Sequence, residues 1–209
     1  MRRISALFVV AIVSLVVHAG CFSYSTLHTA TPVEEGETEM TLTAGFYGAG
    51  IAGDSGDIPN SEFMVRHGIT DASDLGFKVY PVGFAFDYNH ALAMESGYAL
   101  SVNPYLSVTR FSADDGSFTY GAALLNILAD VIAGEAATLT FGLKPGFLYA
   151  MGSFDDELET ANTGVIGITS GIRVNLGDSF TVMPTFDVLT PFDEFADLWL
   201  YTFGVAMIF

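Results

Sequence analysis

From Thr138 to Met151 the chain changes character at nearly every step, Leu148 being the exception. Leu139, Phe141, Leu143, Pro145, Phe147, Tyr149 and Met151 occupy one parity, and Thr138, Thr140, Gly142, Lys144, Gly146 and Ala150 the other. A period of two is the repeat of a β-strand, whose successive side chains point to opposite faces. The same division runs through 98–109, where Tyr98, Leu100, Val102, Leu106 and Val108 alternate with Ala99, Ser101, Asn103, Ser107 and Thr109. It returns at 199–209, where Trp199, Tyr201, Phe203, Val205, Met207 and Phe209 alternate with Thr202, Gly204 and Ala206. Clusters of Gly, Asp, Asn and Ser punctuate the chain from Glu39 onward, as turns do. Strands are therefore expected at 39–48, 61–69, 75–81, 83–91, 98–111, 117–131, 137–151, 164–176, 180–191 and 198–209.

Alternation alone fits a soluble sandwich, whose apolar face lines a core, and a barrel, whose apolar face meets lipid. Composition separates them. Half of the residues are hydrophobic (51%), yet the formal charge is −17, and the two coexist when the apolar side chains face something other than water. The polar parity is rich in Gly, Ala, Ser and Thr, which suits the crowded interior of a narrow barrel. Beyond residue 20 no uncharged apolar run reaches the ~18 residues of a spanning helix, and a closed barrel is the other structure that satisfies every backbone group within lipid. The expected fold is all-β: a closed antiparallel up-and-down transmembrane β-barrel of about ten strands. The count falls to eight if Pro81–Gly83 bends a single strand, or if 122–132, where Leu124, Leu125, Leu128 and Val131 share a helical face, forms an insertion. A chain this acidic repels phosphates, so nucleic acid is not an expected partner.

Met1, Arg2 and Arg3 precede an apolar run from Ile4 to Val17 that ends at small residues, the pattern of an export signal. Removal of residues 1–20 is expected, after which five of the seven basic residues face 24 acidic ones. Cys21 is the single cysteine, so no intramolecular disulfide can form. Ala19-Gly20-Cys21 resembles the lipobox of bacterial lipoproteins, in which the cysteine is acylated and becomes the mature N-terminus. His18 stands where that family usually has Leu or another aliphatic residue. The resemblance implies a covalent lipid on Cys21, with no other cofactor expected; the alternative is an ordinary signal-peptidase site near Ala19. Residues 21–38, polar and without a period, read as a lipidated flexible tether ahead of a barrel at 39–209.

The aromatic ending, with Trp199, Tyr201, Phe203 and Phe209 on one parity, resembles the C-terminal β-signal of outer-membrane barrels. That resemblance implies recognition by the barrel assembly machinery and residence in the bacterial outer membrane, among its lipid and lipopolysaccharide. Tether and C-terminus are then expected on the periplasmic side. The short turns 133–136 and 175–179 belong with them, and the longer loops 51–60 and 152–163 lie outside.

Arg66, Lys78, Lys144 and Arg173 fall on inward parities, with Asp87, Asn103, Asp187 and, where 122–132 is a strand, Asp130. An unpaired buried charge costs several kcal/mol, so these groups are expected to pair as a polar network filling the lumen. A structural or surface-interaction role with a filled lumen follows. The alternatives are a narrow channel for small solutes, an outer-membrane lipid-modifying enzyme, and a soluble periplasmic sandwich serving as a binding module. Asp54 and Asp57, Asp114 and Asp115, Asp155 to Glu159, and Asp193 to Asp197 read as a solvated acidic rim, without the spacing of a defined metal loop. Acyl transfer needs a nucleophile beside a histidine base. His18 leaves with the signal, His28 lies in the tether, and His67 and His90 fall near periplasmic ends where only chance brings Ser61 or Ser101 close. No enzyme is expected.

Overall fold

The computed structural model describes residues 23–51, 54–113, 116–132, 136–154, 157–177, 180–192 and 198–209. Its strands are β1 (Thr38–Ile51), β2 (Asp54–Thr70), β3 (Ser73–Tyr80), β4 (Gly83–Glu95), β5 (Tyr98–Ala113), β6 (Gly116–Ile132), β7 (Ala137–Leu143), β8 (Gly146–Phe154), β9 (Glu157–Asn175), β10 (Thr181–Pro191) and β11 (Leu198–Ile208). β7 and β8 are one stave. Register runs unbroken across the gap, from Leu143↔Ile127 to Gly146↔Leu124 on one side and from Leu143↔Ile168 to Gly146↔Val165 on the other. The ladder lapses because Pro145 has no N–H to give, while its carbonyl still accepts from Leu125 N–H at 2.9 Å.

The ten staves pair antiparallel with their sequence neighbours, and β11 pairs with β1 from Ile208↔Thr41 to Leu198↔Ile51, which closes the ring and leaves no sheet edge running its full length. Pro81 and Val82 form a turn between β3 and β4, and 122–132 is strand, so the count is ten. Met40 and Phe209 exchange backbone hydrogen bonds of 2.9 and 3.1 Å at the seam, and the Phe209 ring meets Phe180 at 5.4 Å. Deleting Phe209, or replacing it by Asp, is accordingly expected to lower outer-membrane yield while refolding in detergent stays near normal. Equal outer-membrane yields of variant and parent would count against a β-signal in this strand.

One parity of every stave is apolar and turned outward: Leu106 is 61% and Phe147 65% exposed, and Phe77, Phe84 and Phe86 cluster on the outer wall with centroids 4.8–6.5 Å apart. Among the described residues no helix is long and apolar enough to cross a membrane.

Two expectations are corrected. Residues 51–60 and 152–163 are not long loops. β1 continues to Ile51 and β2 begins at Asp54, β8 continues to Phe154 and β9 begins at Glu157. A 19-residue strand such as β9 is about 60 Å long at ~3.3 Å per residue, so even tilted by ~40° it outruns an apolar band of ~25 Å. Beyond the band both faces meet water and the apolar alternation stops although the ladder does not. The second correction concerns residues 23–33, which are not a free tether. Ser23 to Ala30, Pro32 and Val33 are buried, inside the barrel.

Candidate functional site: the filled lumen

Among the described residues, the three largest fully enclosed side chains are Arg66, Lys78 and Lys144. Each meets a carboxylate. Arg66, from β2, lies between Asp74 of β3 and Asp87 of β4; its Nη1 donates to Asp87 at 2.6 Å and its Nη2 to Asp74. It reaches them over Gly76, where a Cβ would stand 2.5 Å from the Asp87 carboxylate and 2.7 Å from the guanidinium. Asn103 extends the network by donating to Asp87 at 2.8 Å, and Asn126 donates to Asn103 at 2.7 Å. Lys78 lies 3.2 Å from Glu62 and over the Tyr105 ring, while Lys144 pairs with Asp187, which also accepts from Thr202 at 3.0 Å. Buried charges held this way offset most of their desolvation penalty.

Arg173 stands apart from this network. It pairs with Glu39 at 2.6 Å, both side chains about a quarter exposed, near the start of β1. Glu62, Asp74 and Tyr105 belong to the lumen although the sequence reading passed over them. Stepping by two from Arg66 reaches Glu62, from Lys78 reaches Asp74 and from Asn103 reaches Tyr105, so the parity signal was present.

The N-terminal segment fills the space these groups enclose. From the turn at Glu34–Glu37, which packs on Gly68 through Gly36 N–H to Gly68 carbonyl (3.0 Å), it runs inward past Asp74 to Tyr105. A Cβ at Gly68 would fall 1.9 Å from the Glu34 carbonyl oxygen, so this approach needs glycine there. Asp74 accepts from Val33 N–H at 2.8 Å, Asp130 from Ala30 and Thr31 N–H at 3.0 and 2.9 Å, and Asp187 from Thr26 N–H at 3.3 Å. Lys78 donates to the Ser25 carbonyl at 2.7 Å, Lys144 to that of Tyr24 at 2.6 Å and the Tyr105 hydroxyl to that of Ser23 at 2.6 Å. Leu27 enters a pocket of Met64, Met183, Ala206 and Ile208, Ala30 one of Ala99 and Leu128, and Tyr24 joins Tyr80, Tyr105, Phe118 and Tyr120 in an apolar layer across the lumen. One cavity beside Ser25 and Leu27 measures about 10 Å³, room for a single water.

The other residues singled out in the sequence do not converge on chemistry. His28 is buried in the segment, His67 Nδ1 lies 2.9 Å from the Thr38 hydroxyl at the strand ends, and His90 stacks on Tyr88; among the described residues no hydrogen bond joins any of the three to a serine. Among the described residues no group of three or more His, Cys, Asp or Glu is placed to hold a metal ion. Asp54, Asp57, Glu157 and Glu159 fall within β2 and β9. Cys21, Asp114, Asp115, Asp155, Asp156 and residues 193–197 lie outside the described residues.

A closed ring of ten staves, apolar outside and polar and packed inside, is a transmembrane β-barrel. Solved structures similar to it include bacterial outer-membrane barrels. The outer-membrane protease OmpT of Escherichia coli matches 82% of this chain and 94% of its own at 7% identity, with a TM-score of 0.50. The attachment invasion locus protein Ail of Yersinia pestis, in complex with the heparin analogue sucrose octasulfate, matches 84% of this chain and 99% of its own at 14% identity, with a TM-score of 0.49. No protein-family model matches the chain, and no curated protein matches it.

Proposed function

We propose that this protein is an outer-membrane barrel that stays closed, sealed by its own N-terminal segment and by paired lumen charges, and that it acts through its surface rather than as a pore. The observation that carries this reading is the seat of residues 23–33, enclosed by Asp74, Asp130, Asp187, Lys78 and Lys144. The sequence makes the hairpin ends acidic, with Asp54 and Asp57 at the start of β2. In planar bilayers the purified parent is expected to give no steady current. Stable, charge-selective channels would overturn the closed-barrel reading and promote the narrow-channel one.

A second reading, favoured by Ala19-Gly20-Cys21, is the lipoprotein with its N-terminus and C-terminus on the periplasmic side. The two make competing demands. Cys21 is two residues from Ser23, a reach of at most about 7 Å, and Ser23 is buried at the Tyr105 hydroxyl. Acyl chains in the leaflet next to the start of β1 therefore require the segment to leave the lumen. The intact mass of exported protein decides between them: free Cys21 or a nearby unmodified N-terminus goes with the seated segment, and an acylated cysteine with the withdrawn one.

A further inference from the structure

The lumen holds the segment chiefly by its main chain. Asp74, Asp130 and Asp187 accept from its peptide N–H groups, and Lys78, Lys144 and Tyr105 donate to its peptide carbonyls. Of its side chains, the Ser25 hydroxyl donates to Glu62 at 2.6 Å, and Lys78 donates to the Ser25 and Ser23 hydroxyls at 2.9 and 3.2 Å, whereas the Thr26 hydroxyl and His28 Nε2 are buried with no hydrogen-bond partner among the described residues. Asp130 is the most telling group. It is buried, among the described residues no cation pairs with it, and besides the Thr140 hydroxyl its donors are Ala30 N–H, Thr31 N–H and the Thr31 hydroxyl at 2.9–3.0 Å. A carboxylate enclosed without a counter-ion needs donors that the wall itself does not supply. The segment supplies them, and brings no ionised side chain to compete, since Ser23 to Val33 contains no Asp, Glu, Lys or Arg. Specificity comes from two small apolar pockets three residues apart, one for Leu27 and one for Ala30.

On the closed-barrel reading, we propose that the lumen is a binding site for an extended, uncharged, hydroxyl-rich peptide, occupied in cis by the protein's own N-terminal segment and open to exchange with a peptide in trans. The segment joins β1 through the exposed turn Glu34–Glu37, so the link can be cut without touching a lumen contact. Nothing in the wall's hydrogen bonding depends on that covalent link.

The test uses the full chain with a protease recognition sequence inserted at Glu35, folded in detergent, cut, and warmed with a labelled synthetic peptide of the Ser23–Val33 sequence. The cut barrel is expected to take up one label per chain. The same peptide N-methylated at Ala30 and Thr31 loses two hydrogen bonds to Asp130 and is expected to bind roughly 100-fold more weakly. In a second arm, a variant lacking residues 22–34 is expected to gain heat resistance when the unmodified peptide is added, whether or not it folds alone. Failure of both arms, with no label in the cut barrel and no gain for the deletion variant, overturns the proposal. Equal binding of the N-methylated peptide overturns its main-chain basis. Steady current through the uncut parent sinks the closed-barrel reading instead, and leaves peptide uptake to be read separately.

Discussion

Replacing Arg66 by Met is expected to be among the most damaging single changes in this barrel, lowering its stability by about 5 kcal/mol, the upper end of what breaking a buried ion pair costs. The reason is arithmetic of partners. Arg66 serves two carboxylates, Asp74 and Asp87, and all three side chains are almost fully enclosed. Without it Asp87 keeps the Asn103 amide and Asp74 keeps Val33 N–H, neither of which carries charge. A methionine of similar length restores the packing but leaves two anions facing each other across Gly76.

The compensating variant makes this specific. Arg66→Met combined with Asp74→Asn and Asp87→Asn removes the charges together, and buried ion clusters replaced by neutral groups often lose little. Stability is expected to return to within about 2 kcal/mol of the parent, a strong non-additivity of the kind expected for residues in one network. Urea unfolding in detergent, followed by heat-modifiable gel mobility, reads both variants. If Arg66→Met costs only the few tenths of a kcal/mol typical of surface changes, the lumen is wet and the packed-interior account fails.

Arg66 and Lys144 were legible from the sequence because a strand enclosed on one face and bathed in lipid on the other keeps strict parity. Inward Lys144 sits among Thr140, Gly142 and Gly146, outward Phe141, Leu143 and Phe147 beside them. The N-terminal segment was illegible for the complementary reason. It is surrounded on all sides, so it has no inside and outside to alternate between, and its polar, aperiodic composition reads like that of a flexible linker. Its contacts repeat at three residues, Tyr24, Leu27 and Ala30, too short a series to stand out. Pro145 misled in a gentler way. Its position on the apolar parity fitted a continuous strand, and the stave is continuous in register, but the missing N–H divides it into β7 and β8 beside Lys144. The lengths of the hairpins were hidden because strands beyond the membrane no longer sort their residues by hydropathy.

Lys144→Met tests the other side of the barrel, where one cation joins wall and segment. Lys144 pairs with Asp187 on β10 and donates to the Tyr24 carbonyl at 2.6 Å. Its loss leaves Asp187 with Thr202 and the long Thr26 contacts of 3.3 Å, and is expected to cost about 3 to 5 kcal/mol. Conductance is expected to stay absent, because Asp74 and Asp130 still hold the segment further along, at Val33 and at Ala30 and Thr31. The revealing comparison is with Lys78→Met, since Lys78 grips the adjoining Ser25 carbonyl. Once one lysine releases this stretch the other loses its carbonyl partner too, so the double variant should cost less than the sum of the singles, by about 0.5 to 3 kcal/mol. Full additivity would mean that the segment contributes nothing to either lysine's worth, and a channel that opens in Lys144→Met alone would mean that one ion pair, rather than the whole length of the segment, keeps the barrel shut.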